Sequence, residues 1–153
     1  MKKFLALFAL VLIQGCSSGG DDGGGGLTGL TGQFVDSPVE GVSYVSGGFS
    51  GTTTADGSFS YGSGNSLSLS IGDINLGDGM ARNIFTPLTL VGTTNPSDTT
   101  VVNIASFLLT LDDDGDPNNG ILITDAVRAA AIGKSINFAQ STTDFANDGN
   151  VQS

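Results

Sequence analysis

The chain is organised around residues 111–125, which read LDDDGDPNNGILITD. This acidic loop holds five of the fifteen acidic residues and separates an apolar segment from an alanine-rich one. Pro117 and Gly120 lie inside it, and both residue types interrupt a regular helix. The sequence therefore predicts a helix, the acidic loop and a second helix over residues 93–134.

Oxygen-bearing residues recur within the acidic loop at the spacing of an EF-hand calcium loop. The candidate metal ligands are Asp114, Asp116, Asn118, Gly120 and Asp125. Aspartate at the last of these positions resembles dockerin-type loops, and that resemblance implies a bound calcium ion. Asn119 departs from the pattern, which has glycine there. A solvated turn without a metal is the alternative interpretation, and the sequence leaves both open.

Two helices are predicted around the acidic loop. Apolar residues at helical spacing predict one buried stripe on the first helix. They are Val101, Ile104, Ala105, Leu108 and Leu109. The second helix is predicted from Thr124 to Gly133, because glycine readily takes the left-handed conformation that ends helices.

Residues 135–153 are predicted to form a C-terminal tail, with a short strand at residues 136–138. In its polar end only Phe145 indicates packing. No terminating signal follows, so the natural protein is expected to continue beyond Ser153.

Residues 33–92 have the pattern of a β-rich module. Residues 66–71 alternate strictly between serine and an apolar residue, which predicts a strand with one buried face. Residues 84–90 are predicted to be extended, with Pro87 favouring a sheet edge. Short strands separated by turn residues predict a mainly-β fold, an antiparallel β-sandwich followed by the short helix-loop-helix.

Asp56-Gly57 is the strongest turn signal in this module. It lies between two segments rich in β-formers, residues 49–54 and 58–61. An Asp-Gly pair between such segments predicts a β-hairpin, because glycine takes positive φ without strain.

Three segments resemble the carboxypeptidase regulatory-like module. They are Gly32-Gln33-Phe34-Val35-Asp36, Gly41-Val42-Ser43-Tyr44 and Thr54-Ala55-Asp56-Gly57-Ser58-Phe59-Ser60-Tyr61. The resemblance covers roughly residues 32–77. It implies a transthyretin-like β-sandwich with a structural or adhesive role and without catalytic residues.

The first fifteen residues have the pattern of a secretory signal peptide. A lysine-bearing start precedes an apolar run, residues 4–13, that is too short to span a bilayer. Gly15 and Cys16 then resemble the lipobox of bacterial lipoproteins. That resemblance implies that Cys16 carries a diacylglycerol thioether and an N-acyl chain, and Ser17 after it implies the outer membrane. An ordinary secreted protein is the alternative.

Residues 16–32 are rich in glycine and poor in apolar side chains, which predicts a flexible tether after the lipidated cysteine. The localisation predicted from the two segments together is the outer membrane, by a lipid anchor, on its periplasmic or its outer side.

Composition excludes several classes of site. One cysteine and no histidine exclude an internal disulfide, thiolate or histidine metal centres and Ser-His-Asp catalysis. The formal net charge of −10 would repel nucleic acid, so no nucleic-acid partner is expected.

The function predicted from sequence is therefore a structural or adhesive surface lipoprotein, stabilised by calcium and held to the membrane by its lipid. A glycan- or protein-binding accessory module is the second hypothesis, although no tryptophan offers a stacking surface for sugars. A hydrolase that uses paired carboxylates needs no histidine, so the aspartates and Glu40 leave this class open. We nevertheless do not expect an enzyme.

Overall fold

The computed structural model describes residues 28–152 and shows both strands and helices there. The strands are β1 (Gly29–Phe34), β2 (Val39–Glu40), β3 (Ser43–Ser46), β4 (Phe49–Thr52), β5 (Ser58–Gly62), β6 (Ser66–Ile71), β7 (Ile74–Met80), β8 (Ile84–Phe85) and β9 (Ile121–Leu122). The helices are α1 (Pro87–Val91), α2 (Thr99–Thr110), α3 (Asp125–Ala130), α4 (Thr142–Ala146) and α5 (Gly149–Gln152). More of the described residues lie in strands (32%) than in helices (26%), and antiparallel pairing predominates.

The strands form three sheets. A four-stranded antiparallel sheet has the order β4-β3-β6-β7. A three-stranded sheet has the order β5-β1-β8, in which β1 runs antiparallel to β5 and parallel to β8. The short strands β2 and β9 pair in parallel and attach the acidic loop to the β-rich part.

The alternating pattern of residues 66–71 is confirmed. Leu67, Leu69 and Ile71 are fully buried on β6. Phe59 of β5 contacts the rings of Tyr44 and Phe85, with ring centroids 6.0 and 6.3 Å apart. One aromatic cluster therefore joins the two larger sheets.

The predicted hairpin at Asp56-Gly57 is wrong, although the turn itself is present. Gly57 has φ 76°, and its N–H donates to Thr54 O at 2.7 Å. The strand before the turn, β4, pairs with β3, whereas the strand after it, β5, pairs with β1. The turn carries the chain from one sheet to the other, because local turn chemistry does not choose the strand's partner.

The tether predicted for residues 16–32 overlaps β1, which begins at Gly29 and pairs with β5 from Gly29↔Gly62 onward. The segment has few apolar side chains, but its backbone N–H and C=O groups are satisfied by the neighbouring strand. Residues 16–27 lie outside the described residues.

Residues 84–90 are extended only over β8. Pro87 opens helix α1 instead of marking a sheet edge, and Thr86 caps that helix by accepting from Thr89 N. Proline suits the first position of a helix, because its missing N–H has no partner there in any case.

The two predicted helices flanking the acidic loop are present as α2 and α3. Asp98 caps α2 through Thr100 N and Val101 N, and Thr124 caps α3 through Val127 N. α3 ends at Ala130, before Gly133. Of the predicted stripe, Val101, Ile104 and Leu108 are buried on α2, whereas Leu109 is 44% exposed. Asn103 and Phe107, which the prediction left out, are also buried there.

The C-terminal segment is folded onto α2. Asn103 donates from Nδ2 to the carbonyl oxygens of Phe138 and Gln140, each at 2.9 Å. Phe138 contacts the rings of Phe107 and Phe145. Residues 136–138 are irregular instead of the predicted strand, and a side chain of α2 satisfies part of their backbone.

Candidate functional site

The acidic loop is docked on the segment that joins β1 to β2 and on β2 itself. Ile121 N donates to Pro38 O at 2.8 Å, and Ile123 N donates to Glu40 O at 3.0 Å. Ser37 Oγ donates to Pro117 O at 2.5 Å. Strand β2 therefore supplies a pairing partner for the loop, and it brings Glu40 to the loop's edge.

Within the loop, short-range hydrogen bonds gather three of the predicted ligands. Asp114 Oδ1 accepts from Asp116 N at 2.9 Å, and Asp116 Oδ1 accepts from Asn118 N at 3.1 Å. Asn119 Nδ2 donates to Asp114 Oδ2 at 2.7 Å. The Asp116 N–H and then the Asn119 amide hold the pKa of Asp114 below its usual value, because both donors favour its charged form.

Asp112 is turned inward, and its two oxygens differ. Oδ1 accepts from Leu122 N at 2.9 Å. Oδ2 is shielded from solvent and has no hydrogen-bond partner within residues 28–152. A buried oxygen left unpaired is costly, and in a native protein it often marks a water or an ion.

A cleft of about 230 Å³ lies between the loop and β2. Four carboxylates line this cleft, those of Glu40, Asp112, Asp113 and Asp114. The side-chain amide of Asn119 also lines it. No lysine or arginine lines this cleft among the described residues. The cleft is therefore strongly electronegative and rich in oxygen atoms, which are the ligands that calcium prefers.

The structure separates Asp125 from the predicted ligand set. Its carboxylate forms an ion pair with Arg128 at the start of α3, and its side chain is 94% exposed. Arg128 also donates to Gly41 O at 2.7 Å and to Ile123 O at 2.8 Å. Arg128 therefore links the loop end to the turn before β3, and Asp125 faces this cation instead of the cleft.

Of the predicted ligands, Asp114 and Gly120 line the cleft, while Asp116 and Asn118 lie in the adjoining turn. The sequence prediction missed Glu40 and Asp112. Asp112 could have been suspected from its position just after an apolar helix, where a side chain can turn back onto the loop. Glu40 is remote in sequence and is brought near only by the β2–β9 pairing.

The carboxylates are not arranged as a preformed metal site. Among residues 28–152, no three Asp, Glu, His or Cys side chains are gathered closely enough to hold a metal ion as they stand. Binding would need side-chain movement toward the cation, which lowers affinity because ordering these groups has an entropic cost.

No family model matches the chain, and neither the curated proteins nor the solved structures include a match. Within residues 28–152, no helix combines the length and apolar character that crossing a membrane requires. The lipidation site predicted at Cys16 lies outside the described residues.

Proposed function

We propose that this protein is a lipid-anchored structural or adhesive module of the bacterial outer membrane, and that its acidic loop binds calcium. The observation that carries the calcium proposal is the unpaired Asp112 Oδ2 beside a cleft lined by four carboxylates. Glu40, Asp112 and Asp114 are the side chains that would supply ligands. Gly120 remains a candidate through its carbonyl oxygen.

Calcium in this cleft would have a mechanical consequence. The loop joins α2 to α3, and β2 continues directly into the turn before β3. A cation held between Glu40 and the loop carboxylates would cancel their mutual repulsion and tighten the β2–β9 contact. The proposed role of the ion is therefore to hold the helical part against the β-rich part.

Thermal unfolding in calcium and in chelator tests this proposal. A ligand that binds only the folded protein stabilises it by about 2.7 kcal/mol at a hundredfold excess over Kd. We expect weak affinity, on the order of 10⁻⁴ to 10⁻³ M, as in extracellular calcium modules. Millimolar calcium should therefore raise the melting temperature of the purified chain. An unchanged value would leave the loop as a solvated turn.

Two variants distinguish the cleft from the EF-hand spacing. Asp112→Asn should abolish the calcium-dependent increase, whereas Asp125→Asn should preserve it, because Asp125 faces Arg128. The opposite result would restore the ligand set predicted from sequence. Magnesium in place of calcium checks specificity, since magnesium demands a tighter octahedral site.

The anchor is proposed from the sequence around Cys16. Labelled palmitate should be incorporated into the wild type and not into Cys16→Ala, and the variant should leave the membrane fraction. Several acyl chains give stable anchoring where one gives marginal binding. Equal labelling of both proteins would contradict the lipoprotein assignment.

The finer fold assignment, a transthyretin-like β-sandwich, is also part of the proposal. It is supported by the aromatic contact between β3 and β5, which belong to different sheets. An experimental structure in which these two sheets do not face each other would overturn it. A glycan array tests the alternative of an accessory binding module on the same material.

A further inference from the structure

Asn119-Gly120 is the only Asn-Gly pair in the chain, and it lies in the acidic loop. Asn119 is exposed, and Gly120 has φ 112°, a conformation that suits only glycine. Gly120 N makes no hydrogen bond within the described part of the chain, whereas the next amide, Ile121 N, donates to Pro38 O. The backbone nitrogen of Gly120 is therefore not committed to the fold.

We propose that Asn119 is a deamidation site. Solvent hydroxide removes the proton of Gly120 N, which then attacks Cγ of Asn119 and forms the N–Cγ bond of a five-membered succinimide. The Cγ–Nδ2 bond breaks, and the departing nitrogen takes a proton from water and leaves as ammonia. Water then opens the ring at either carbonyl and yields aspartate or isoaspartate. Gly120 favours this step because it has no side chain to obstruct the approach. Asparagine is in any case a chemically labile residue.

The modification would change the cleft. Asn119 Nδ2 now donates to Asp114 Oδ2 at 2.7 Å, and aspartate at this position has no such donor. A fifth carboxylate would join the four that line the cleft, and it would repel Asp114. Isoaspartate would also lengthen the backbone just before Ile121, whose N–H donates to Pro38 O and holds the loop on the segment that leads into β2.

The chemistry does not depend on calcium, but one consequence rests on the proposed function. If the cleft binds calcium, the deamidated protein should lose stability in chelator and gain more from calcium than the unmodified protein does. Slow deamidation would therefore make the folded protein more dependent on the ion.

Peptide mapping by mass spectrometry after incubation in mildly alkaline buffer tests the site. We expect the mass change from amide to acid at Asn119, together with isoaspartate detected by enzymatic methylation. Asn118, which precedes Asn119 instead of glycine, is the internal control and should remain an amide. Asn119→Gln should remove the reaction, because glutamine would need a six-membered ring.

A synthetic peptide of residues 111–125 provides the reference rate. Conversion of Asn119 in the peptide but not in the folded chain would overturn the proposal, since the fold would then protect the site. Equal conversion of Asn118 and Asn119 would overturn it as well. Asn119→Asp tests the consequence separately. If deamidation occurs but calcium affects neither protein, only the calcium function fails.

Discussion

Two aspartate turns of this protein look alike in sequence and differ in their hydrogen-bond donors. Asp56 accepts from Thr54 Oγ1 at 2.6 Å, from Ser58 Oγ at 2.8 Å and from Gln33 Nε2 at 3.3 Å. In the acidic loop, Asp114 accepts from Asp116 N and Asn119 Nδ2, whereas Asp112, two residues earlier, keeps a shielded oxygen without a partner in residues 28–152. Acidic residues beside glycine therefore do not by themselves indicate a cation site. The unpaired oxygen of Asp112, which has no counterpart around Asp56 among the described residues, is what separates the two turns.

The glycines of the two turns also differ in their surroundings. Gly57 and Gly115 each follow an aspartate and have similar positive φ, 76° and 69°. A Cβ on Gly57 would collide with the carbonyl oxygen of Phe34, whereas a Cβ on Gly115 would meet nothing within 4 Å. The first turn is built into the core and the second is not.

The largest predicted effect follows from this contrast in packing. Gly57→Ala should destabilise the fold by about 3–5 kcal/mol, because left-handed strain adds to a backbone collision. Gly115→Ala should cost only about 1 kcal/mol, because strain acts alone. Chemical denaturation of both variants measures the difference. Similar losses would mean that the turns are equally crowded and would remove this part of the comparison.

A smaller change in stability, of opposite sign at Asp112 and Asp56, tests whether each carboxylate has its hydrogen-bond donors. In chelator, Asp112→Asn should stabilise the protein by about 1 kcal/mol, because a neutral amide costs less to shield from solvent than an ionised carboxylate with an unpaired oxygen. Asp56→Asn should lower the melting temperature, because Asp56 already has its donors. Asp113→Asn removes an acid from the same cleft and is the matched control for charge alone. If it stabilises as much as Asp112→Asn, general repulsion explains the gain.

The smallest predicted effect concerns the stability of the fold at low pH. Hydrogen bonds, first from the Thr54 and Ser58 side chains, lower the pKa of Asp56 from 3.8 to about 2. Because the folded pKa is depressed, the stabilising contribution is complete above 3.8 and is lost as pH falls toward 2. NMR titration of Asp56 should report this low pKa. Thr54→Val should raise it, and a normal value in the wild type would show that the donors are not engaged.

The β-rich part was predictable where a local pattern suffices. Residues 66–71 alternate, and their burial follows directly because successive side chains point to opposite faces of a strand. The Asp56-Gly57 turn was also predictable from its residues. Its flanking strands were assigned to each other incorrectly, because strand pairing depends on contacts that are distant in sequence.

The candidate site was likewise predictable only in part. The sequence identified the acidic loop and its two flanking helices from acid spacing, breakers and apolar periodicity. It could not identify Glu40 or the inward turn of Asp112, because both depend on β9 pairing with a strand about eighty residues earlier. It also assigned Asp125 to the loop, whereas the nearby Arg128 draws that carboxylate away.

The sequence by itself determined the helices that flank the acidic loop, the alternation of β6 and the chemical classes of site that are excluded. These depend on neighbouring residues and on composition. The tertiary structure alone decided which sheet each strand joins, that Asn103 holds the C-terminal segment, and which carboxylates share the cleft. Long-range pairing brings together groups whose electrostatic interaction depends on distance in space, and sequence separation does not record that distance.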